Sequence, residues 1–418
     1  MKVGFSKVEI TPDVGVPLAG YLKPRISEGV HSPLYARALV MKNWGKSYLW
    51  LSLDLIAIDH NFMVMLKDEL DVRHFRFHDV EVFATHTHSG PQGTCESGAF
   101  KEVFGDYNRE YLRHVVMRCM HAVKEATIDL SKFEVRVGQC DVEGVAASRH
   151  SEDVKVPNKL TTILCSRNKR EDILLYHFAC HPTILHDDNV DISSDFVGEV
   201  ENQLTQDYQN VMFLNGSCGN ISTRFTRESA SKDEVVRLAS ILVEKICVSL
   251  QNAKPFDINK YHASHYSYDM KKKKLGTLEE AEKLLDEAKV ALEKGIESGL
   301  EPQAIRLLES LYEGAKANYL LVEHDDGSLT HEVHLSIIKL NKFMVICIPA
   351  ELFSTLEEQI ECENCIVVNY ANGYHAYFAD EDAYEHGYYE SHMSYYEKGE
   401  SEKLIHYINK KIDEINKR

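Results

Sequence analysis

Short runs rich in β-branched and aromatic residues recur along this chain, and stretches with helical periodicity lie between several of them. The strand-like runs cover residues 49–58, 80–85, 133–137, 160–165, 173–178, 211–214, 333–340 and 343–348. Apolar residues recur with a helical period in residues 108–124, 195–207 and 232–250. Because strands that alternate with helices build sheets covered by helices, this pattern predicts an α/β fold.

Net charge limits the partners of the chain. Its 418 residues include 47 Lys and Arg against 65 Asp and Glu, which gives a formal net charge of −18. Phosphate backbones and anionic lipid surfaces repel such a chain, so we expect no nucleic-acid partner and no anionic membrane partner. No apolar run approaches the ~18 residues that span a bilayer, so we also expect no integral membrane segment.

The first residues and the cysteines bear on localisation. Lys7 and Glu9 lie where a signal peptide requires an uninterrupted apolar stretch. Several of the ten cysteines, among them Cys165, Cys180 and Cys347, lie within apolar runs. Such a setting is typical of buried, reduced thiols. We therefore expect a cytoplasmic protein.

One region, residues 270–325, has a helical pattern of its own. Thr277 and Glu280 have the spacing of a capping box, and apolar residues on one helical face follow them. Gly299 and Pro302 interrupt the pattern, which then resumes. We predict a helical hairpin here, inserted between two strand-rich regions, and a solvated loop for the polar run at 270–274 before it.

The most specific local motif is the histidine pair in residues 83–91, which read FATHTHSGP. A strand-like run leads directly into His86 and His88, and a Gly-Pro turn follows. Residues i and i+2 of a strand share a face, so the two imidazoles are predicted to project together from the strand end. Two imidazoles at this spacing are a common metal-binding arrangement.

Three further segments place reactive side chains after strands. His181 ends the strand-like run before Pro182 and is a candidate ligand, whereas His177 within that run is interpreted as a core residue. Glu351 follows a buried strand. It is interpreted as a metal ligand or a base, or as a carboxylate that a helix N-terminus stabilises. The glycine-bearing turn at 213–224 presents Ser222 either as a nucleophile or as part of a polar loop.

Tyrosines are concentrated near the end of the chain. Eight of the 21 tyrosines lie within residues 370–396, among acidic residues and histidines. Tyrosine is an uncommon zinc ligand, although a metal lowers the pKa of its hydroxyl. Taken alone, this segment does not identify which tyrosines are functional.

Taken in chain order, these segments resemble the neutral (non-lysosomal) ceramidase family. The beginning of the chain is similar as well, with ITP at 10–12, GY at 20–21, LYARAL at 34–39 and SLDL at 52–55. The resemblance implies an α/β, mixed-sheet catalytic domain with one zinc ion, which hydrolyses an N-acyl amide. We therefore expect a single catalytic domain over residues 1–418, with the hairpin at 270–325 inserted into it.

The resemblance also implies a ligand set for the zinc ion. The first histidine of the HTHSGP motif is His86, and the histidine of the His-Pro motif is His181. The glutamate after the Pro-containing strand end is Glu351. The spacing of Tyr377, Tyr384 and the pair Tyr389-Glu390 matches that of the family, which implies Tyr377 as the fourth ligand.

The catalytic residues follow from the same resemblance. The family nucleophile is the serine of a GDVSPN motif; here the segment reads GNISTR, so Ser222 is retained while its neighbours differ. Arg149 loosely matches a family arginine, and His88 and Tyr389 match positions that contact the scissile amide. If the altered serine loop is not competent, the resemblance implies that zinc-bound water attacks the carbonyl directly.

The sequence leaves the substrate open. The resemblance implies ceramide, but a cytoplasmic chain without the signal peptide and C-terminal β-sandwich of secreted family members also suits a small N-acylated metabolite. The hairpin is expected to reshape the substrate entrance. The alternatives are a zinc hydrolase of an unrelated amide or ester, a binuclear TIM-barrel amidohydrolase, and a binding protein without catalytic activity.

Overall fold

A mixed β-sheet of nine strands is the centre of the computed structural model, which describes residues 1–96, 98–151 and 153–417. The strands are β1 (Lys2–Glu9), β2 (Gly29–Val30), β3 (Tyr35–Asn43), β4 (Lys46–Leu53), β5 (Asp79–Ala84), β6 (Ser131–Asp141), β7 (Ala147–Ser148), β8 (Lys159–Arg167), β9 (Ile173–Phe178), β10 (Asp191–Ile192), β11 (Asn210–Asn215), β12 (Ile221–Ser222), β13 (Lys254–Phe256), β14 (His262–Lys271), β15 (Thr330–Leu340), β16 (Phe343–Cys347), β17 (Glu351–Leu352), β18 (Cys365–Val368) and β19 (Tyr377–Phe378).

Helices cover the sheets. They are α1 (His60–Val72), α2 (Lys101–Phe104), α3 (Arg109–Ile128), α4 (Phe196–Leu204), α5 (Lys232–Gln251), α6 (Leu278–Glu297), α7 (Pro302–Glu323), α8 (Ser354–Glu357), α9 (Glu381–His386), α10 (Tyr389–Met393) and α11 (Glu400–Asn416). Asn108 and Ser231 accept backbone N–H groups at the first turns of α3 and α5, as N-cap residues do. Among the residues described, no helix is long and apolar enough to cross a membrane.

The large sheet is open and mixed. Its strand order is β11-β9-β8-β6-β1-β3-β4-β5, and β13 pairs with β6. The outermost pairs, β4 with β5 and β9 with β11, are parallel, and the pairs between them are antiparallel. The predicted α/β class is confirmed, and the TIM-barrel alternative is wrong because that fold requires a closed ring of parallel strands.

A second, four-stranded sheet has the order β14-β15-β16-β18. Two of the short strand pairs carry site residues. In β17 and β19, which are parallel, Glu351 is paired with Tyr377. In β12 and β7, which are antiparallel, Ser222 is paired with Ala147. These short pairings bring together segments that are far apart in the sequence.

Helices α6 and α7 form a hairpin between β14 and β15. Both hydrogen bonds of the capping box predicted at Thr277 and Glu280 are present. The two strands that flank the hairpin pair along their length as far as Lys271 and Thr330. Helix α7 packs against α10, which begins at Tyr389. The expected division into one domain with an inserted hairpin stays a prediction.

The polar run at 270–274 is not a solvated loop. Met270 is fully buried and lies, with Lys271, in β14. The amine of Lys273 donates hydrogen bonds to the backbone carbonyls of Ser391 and His392, at 3.2 and 2.8 Å. Burial lowers the pKa of Lys273 to about 7. The prediction was wrong because charged residues were assumed to be hydrated, whereas backbone carbonyls here replace water.

Candidate active site

Three histidines converge where β5 and β9 end. Their ring nitrogens lie within 4.8 Å of one another for His86, His88 and His181. The Nε2 atoms of His86 and His88 are 3.2 Å apart. Both residues lie beyond the last residue of β5, and His86 has a φ of 69°. The two rings therefore meet through a turn in the left-handed region and not through the strand alternation that the sequence suggested.

A backbone carbonyl fixes the orientation of each ring through its Nδ1 atom. The carbonyls belong to Ile56, Gly20 and Ile221, at 2.7, 2.9 and 2.9 Å from His86, His88 and His181. Because a carbonyl only accepts hydrogen bonds, each Nδ1 carries the proton. The lone pair of each neutral ring then lies on Nε2, as in histidines that bind metals.

Glu351 completes the centre of the site. Its Oε2 lies 3.0 Å from Nε2 of His181 and 3.4 Å from Nε2 of His86. Burial lowers the pKa of His88 and of His181. Neutral imidazoles and an ionised carboxylate are the forms that bind a cation.

The chemistry of these donor atoms suits the binding of a metal ion. Because each ring has its proton on Nδ1, the imidazole Nε2 atoms present lone pairs. These lone pairs and those of Glu351 Oε2 face one another over 3.0–3.4 Å. Such an arrangement is repulsive unless a cation or an additional proton lies among the atoms. Nitrogen and carboxylate ligands suit zinc and neighbouring transition metals.

Arg149 links Tyr377, a predicted site residue, to the buried carboxylate of Glu390. Its Nη1 donates a hydrogen bond to the hydroxyl of Tyr377 at 3.0 Å and lies 3.3 Å from Oε1 of Glu390. Burial is the main reason that the pKa of Tyr377 is raised well above its ordinary value, so its phenol keeps its proton in this environment. His150 lies 2.9 Å from the other oxygen of Glu390. The buried glutamate thus balances the charge of Arg149.

Ser222 lies beside this group. Its side chain is largely buried, and Oγ accepts a hydrogen bond from the backbone N–H of Arg224 at 3.2 Å. Its pairing with Ala147 places it next to the segment that carries Arg149. The structure thus brings the candidate serine to the histidine cluster, and its role stays a prediction.

A cleft of about 640 Å³, including its open mouth, gives access to the site. Six of the eight predicted site residues line it: His88, Arg149, His181, Ser222, Tyr377 and Tyr389. The other two, His86 and Glu351, are buried against the first group and contact His88 and His181. Glu313 of α7 also lines the cleft, so the hairpin contributes to the wall of the cleft.

The sequence did not identify two tyrosines that hold the cluster. The hydroxyl of Tyr374 donates a hydrogen bond to Oε1 of Glu351 at 2.5 Å. The ring of Tyr370 stacks on His86 with their centroids 4.0 Å apart, and its hydroxyl lies 3.1 Å from Sγ of Cys218. The high tyrosine content of residues 370–396 was the available signal, but spacing alone could not single out these two.

The fold and the site together have the features of a hydrolase: a histidine and carboxylate cluster, an arginine and a serine at the base of one cleft. A sequence model described as neutral/alkaline non-lysosomal ceramidase, N-terminal, matches residues 1–230, more than half of the chain. The chain belongs to this family, whose members are hydrolases acting on the amide bond of ceramide. The resemblance stated from the motifs is confirmed.

Two solved structures share the fold. Neutral ceramidase from Pseudomonas aeruginosa matches with a TM-score of 0.75 and 16% identity, over 98% of this chain and 73% of that one. A ceramidase complexed with C2 matches with a TM-score of 0.75 and 14% identity, over 98% and 74% of the two chains. At these identities the likeness establishes the fold, which confirms the expected mixed α/β architecture.

Proposed function

We propose that this protein is a zinc-dependent amidohydrolase. It cleaves the N-acyl amide bond of ceramide, or of a ceramide-like or smaller N-acylated substrate, to a carboxylic acid and an amine. The observation that carries the proposal is the convergence of three Nε2 lone pairs and the Glu351 carboxylate beside a cleft. Membership of the ceramidase family supports the choice of an amide bond.

One zinc ion per chain is held by His86, His181, Glu351 and Tyr377 in this proposal. His88 is a further candidate, since its Nε2 is 3.2 Å from that of His86. When bound, zinc supplies a Lewis acid for the amide carbonyl and lowers the pKa of water toward ~7. Tyr377 binds the ion either as the phenol, through its oxygen, or after loss of its proton.

Ser222 is the proposed nucleophile. Its oxygen forms a bond to the carbonyl carbon, the bond from that carbon to nitrogen breaks, and the serine proton ends on the departing amine. Water then cleaves the acyl-serine ester and returns the proton to the serine. We assign Arg149, Tyr389 and His88 to stabilising the oxyanion and protonating the leaving nitrogen.

The serine route is tested with Ser222→Ala. Loss of turnover by about a thousandfold or more is expected if the serine attacks, given the cost of removing a catalytic nucleophile. Ser217→Ala is the matched control, because Ser217 lies on the same turn but bonds to Asn369, at 2.9 Å. Turnover retained in Ser222→Ala would reject the covalent route in favour of direct attack by water.

The whole proposal is tested by metal analysis combined with a substrate panel. The purified protein should contain one zinc per chain and hydrolyse at least one N-acyl amide among ceramide, N-acylethanolamines and N-acyl amino acids; an ester with the same acyl group tests the alternative activity. His181→Ala should lose both zinc and turnover, whereas His262→Ala, an exposed residue of β14, should lose neither.

A protein without zinc that hydrolyses no member of the panel would instead be a binding protein that has kept the fold. Turnover of the ester alone would favour the alternative of an unrelated zinc hydrolase. The expected cytoplasmic location stays a prediction and is checked by fractionation of the source cells.

A further inference from the structure

Two cysteines lie three residues apart where the chain enters the edge strand of the second sheet. Cys365 is the first residue of β18 and is paired with Met344 of β16, and Cys362 precedes it. The backbone bends at the two residues between them, Glu363 and Asn364. This bend brings the two cysteines close to one another.

The two thiol groups are in contact. They hydrogen-bond to one another, and Sγ of Cys365 also lies 3.1 Å from the backbone carbonyl oxygen of Cys362. A disulfide joins cysteines whose Cβ atoms lie about 3.5–4.5 Å apart, so only neighbouring thiols form one without rearrangement of the backbone. The contact between Cys362 and Cys365 meets this first requirement.

The pair is also accessible and contains an activated thiol. Both cysteines are half-buried. The hydrogen bond from Cys365 is the main reason that the pKa of Cys362 is lowered, and the other nine cysteines of the chain have raised pKa values. Because the thiolate is the nucleophile in disulfide exchange, Cys362 is the cysteine expected to react first.

We propose that Cys362 and Cys365 form a redox-reactive pair, which low-molecular-weight disulfides such as oxidised glutathione convert into an internal disulfide. The Cys362 thiolate attacks one sulfur of oxidised glutathione, the S–S bond of glutathione breaks, and one glutathione leaves. Cys365 then attacks the Cys362 sulfur of the mixed disulfide, and the second glutathione leaves. Two protein thiols are thus oxidised, one glutathione disulfide is reduced, and the two thiol protons end on the two glutathione molecules.

This site is distinct from the histidine cluster. Other residues line the catalytic cleft. The chemistry at the two cysteines requires neither a metal ion nor an amide substrate. The inference therefore goes beyond the proposed function, and its tests give the same answer whether or not the protein is an amidohydrolase.

The first test uses a protease that cleaves after glutamate. The reduced full-length protein is exposed to oxidised glutathione at neutral pH, its free thiols are blocked with N-ethylmaleimide, and it is denatured and digested. Cleavage after Glu361, Glu363 and Glu381 separates Cys362 from Cys365, so only a disulfide keeps their two fragments joined. We expect the joined fragments, and we expect excess reduced glutathione, added before blocking, to abolish them. Two blocked cysteines, or a bond that resists reduced glutathione, would overturn the inference.

Substitution distinguishes the attacking thiol from the resolving thiol. In Cys365→Ser, glutathione should stay attached to Cys362, because the thiol that displaces it is gone while a hydroxyl donor remains. In Cys362→Ser, glutathione should add to Cys365 at least about tenfold more slowly. Equal rates in the two variants would contradict the proposed roles. The protease test on the wild-type protein does not depend on whether the variants fold.

Cys247 is the control for accessibility. It is exposed on α5, more so than either member of the pair. In the wild-type protein, Cys362 should lose its free thiol at least about tenfold faster than Cys247 does in the same sample. Comparable rates would mean that exposure alone explains the reaction, and the inference would fail. Cys247→Ser should form the internal disulfide as the wild type does.

Discussion

The Tyr374 hydroxyl donates a hydrogen bond to Oε1 of Glu351, while the other oxygen of that carboxylate faces Nε2 of His181 at 3.0 Å. The two oxygens thus have separate partners, and the phenol fixes which of them faces the histidines. A carboxylate oriented in this way loses little conformational freedom when it binds a metal.

Removal of the Tyr374 hydroxyl should weaken metal binding without abolishing it. Tyr374→Phe keeps the ring and removes the donor to Glu351, so we expect a 10–100-fold loss of zinc affinity, the usual effect of losing a hydrogen bond that orients a ligand. Competition with a chelator measures it. Tyr407→Phe, which removes a bond to the carbonyl of Ser267, is the control. Unchanged affinity in Tyr374→Phe would show that the hydroxyl has no orienting role.

Neutralising Glu390 should destabilise the protein and impair turnover. Burial alone would raise the pKa of Glu390, but Arg149 and His150 outweigh it and lower the pKa to about 2. Glu390→Gln leaves the buried guanidinium without its counterion, a change that typically costs about 3–5 kcal/mol. Urea unfolding and kcat measure the two effects. Glu385→Gln, which removes an exposed pair with Lys398, should change neither.

Stability should fall as the pH rises because of another buried carboxyl group, Glu81. Burial, followed by the charge of Asp79, raises its pKa from 4.5 to about 7, and Ser336 and Asn372 donate hydrogen bonds to it. Between pH 4.5 and 7 the folded state holds a proton that the unfolded state has released, so the free energy of unfolding decreases across this window. The Asp79-bonded imidazole of His265, the Tyr261 phenol and the Cys347 thiol are further titratable neighbours of Glu81.

Glu81→Gln should remove this pH dependence. At pH 8 the variant should be more stable than the wild type by up to about 3 kcal/mol, and the difference should shrink toward pH 5. Urea unfolding at both pH values measures it. Glu134→Gln, at an exposed position of β6, should keep the wild-type profile. A variant that loses stability equally at both pH values would contradict the assignment.

The hairpin should influence catalysis through α10. A Cβ atom at Gly314 of α7 would lie 3.0 Å from Cδ2 of His392, so a larger residue there crowds the side chain that α10 presents to α7. We expect Gly314→Val to lower kcat/KM by about tenfold, because α10 begins at Tyr389. Leu307→Ala, at an exposed position of α7, is the control. Full activity in Gly314→Val would separate the hairpin from the site.

The site residues that could be predicted from the sequence are those whose neighbours in the chain form a recognisable motif. His86, His88 and His181 each follow a strand-like run, and the order of the motifs supplied the family. The roles of Tyr374 and Glu390 depend on contacts between distant segments, and nothing in their local sequence separates them from neighbouring tyrosines and acids. The long charged strand β14 was missed for a related reason, since it lacks a continuous apolar run.

Lys271 and Thr330 are paired residues on adjacent antiparallel strands, so the chain leaves and re-enters the sheet across a gap that an ordinary tight turn could close. The intervening two helices reach the cleft through Glu313 without contributing a strand to either sheet. Lengthening, shortening or exchanging this segment alters the rim of the cleft while the strands beneath keep their register. A change confined to this segment can therefore alter the wall of the cleft while the pairing of β14 with β15 is kept.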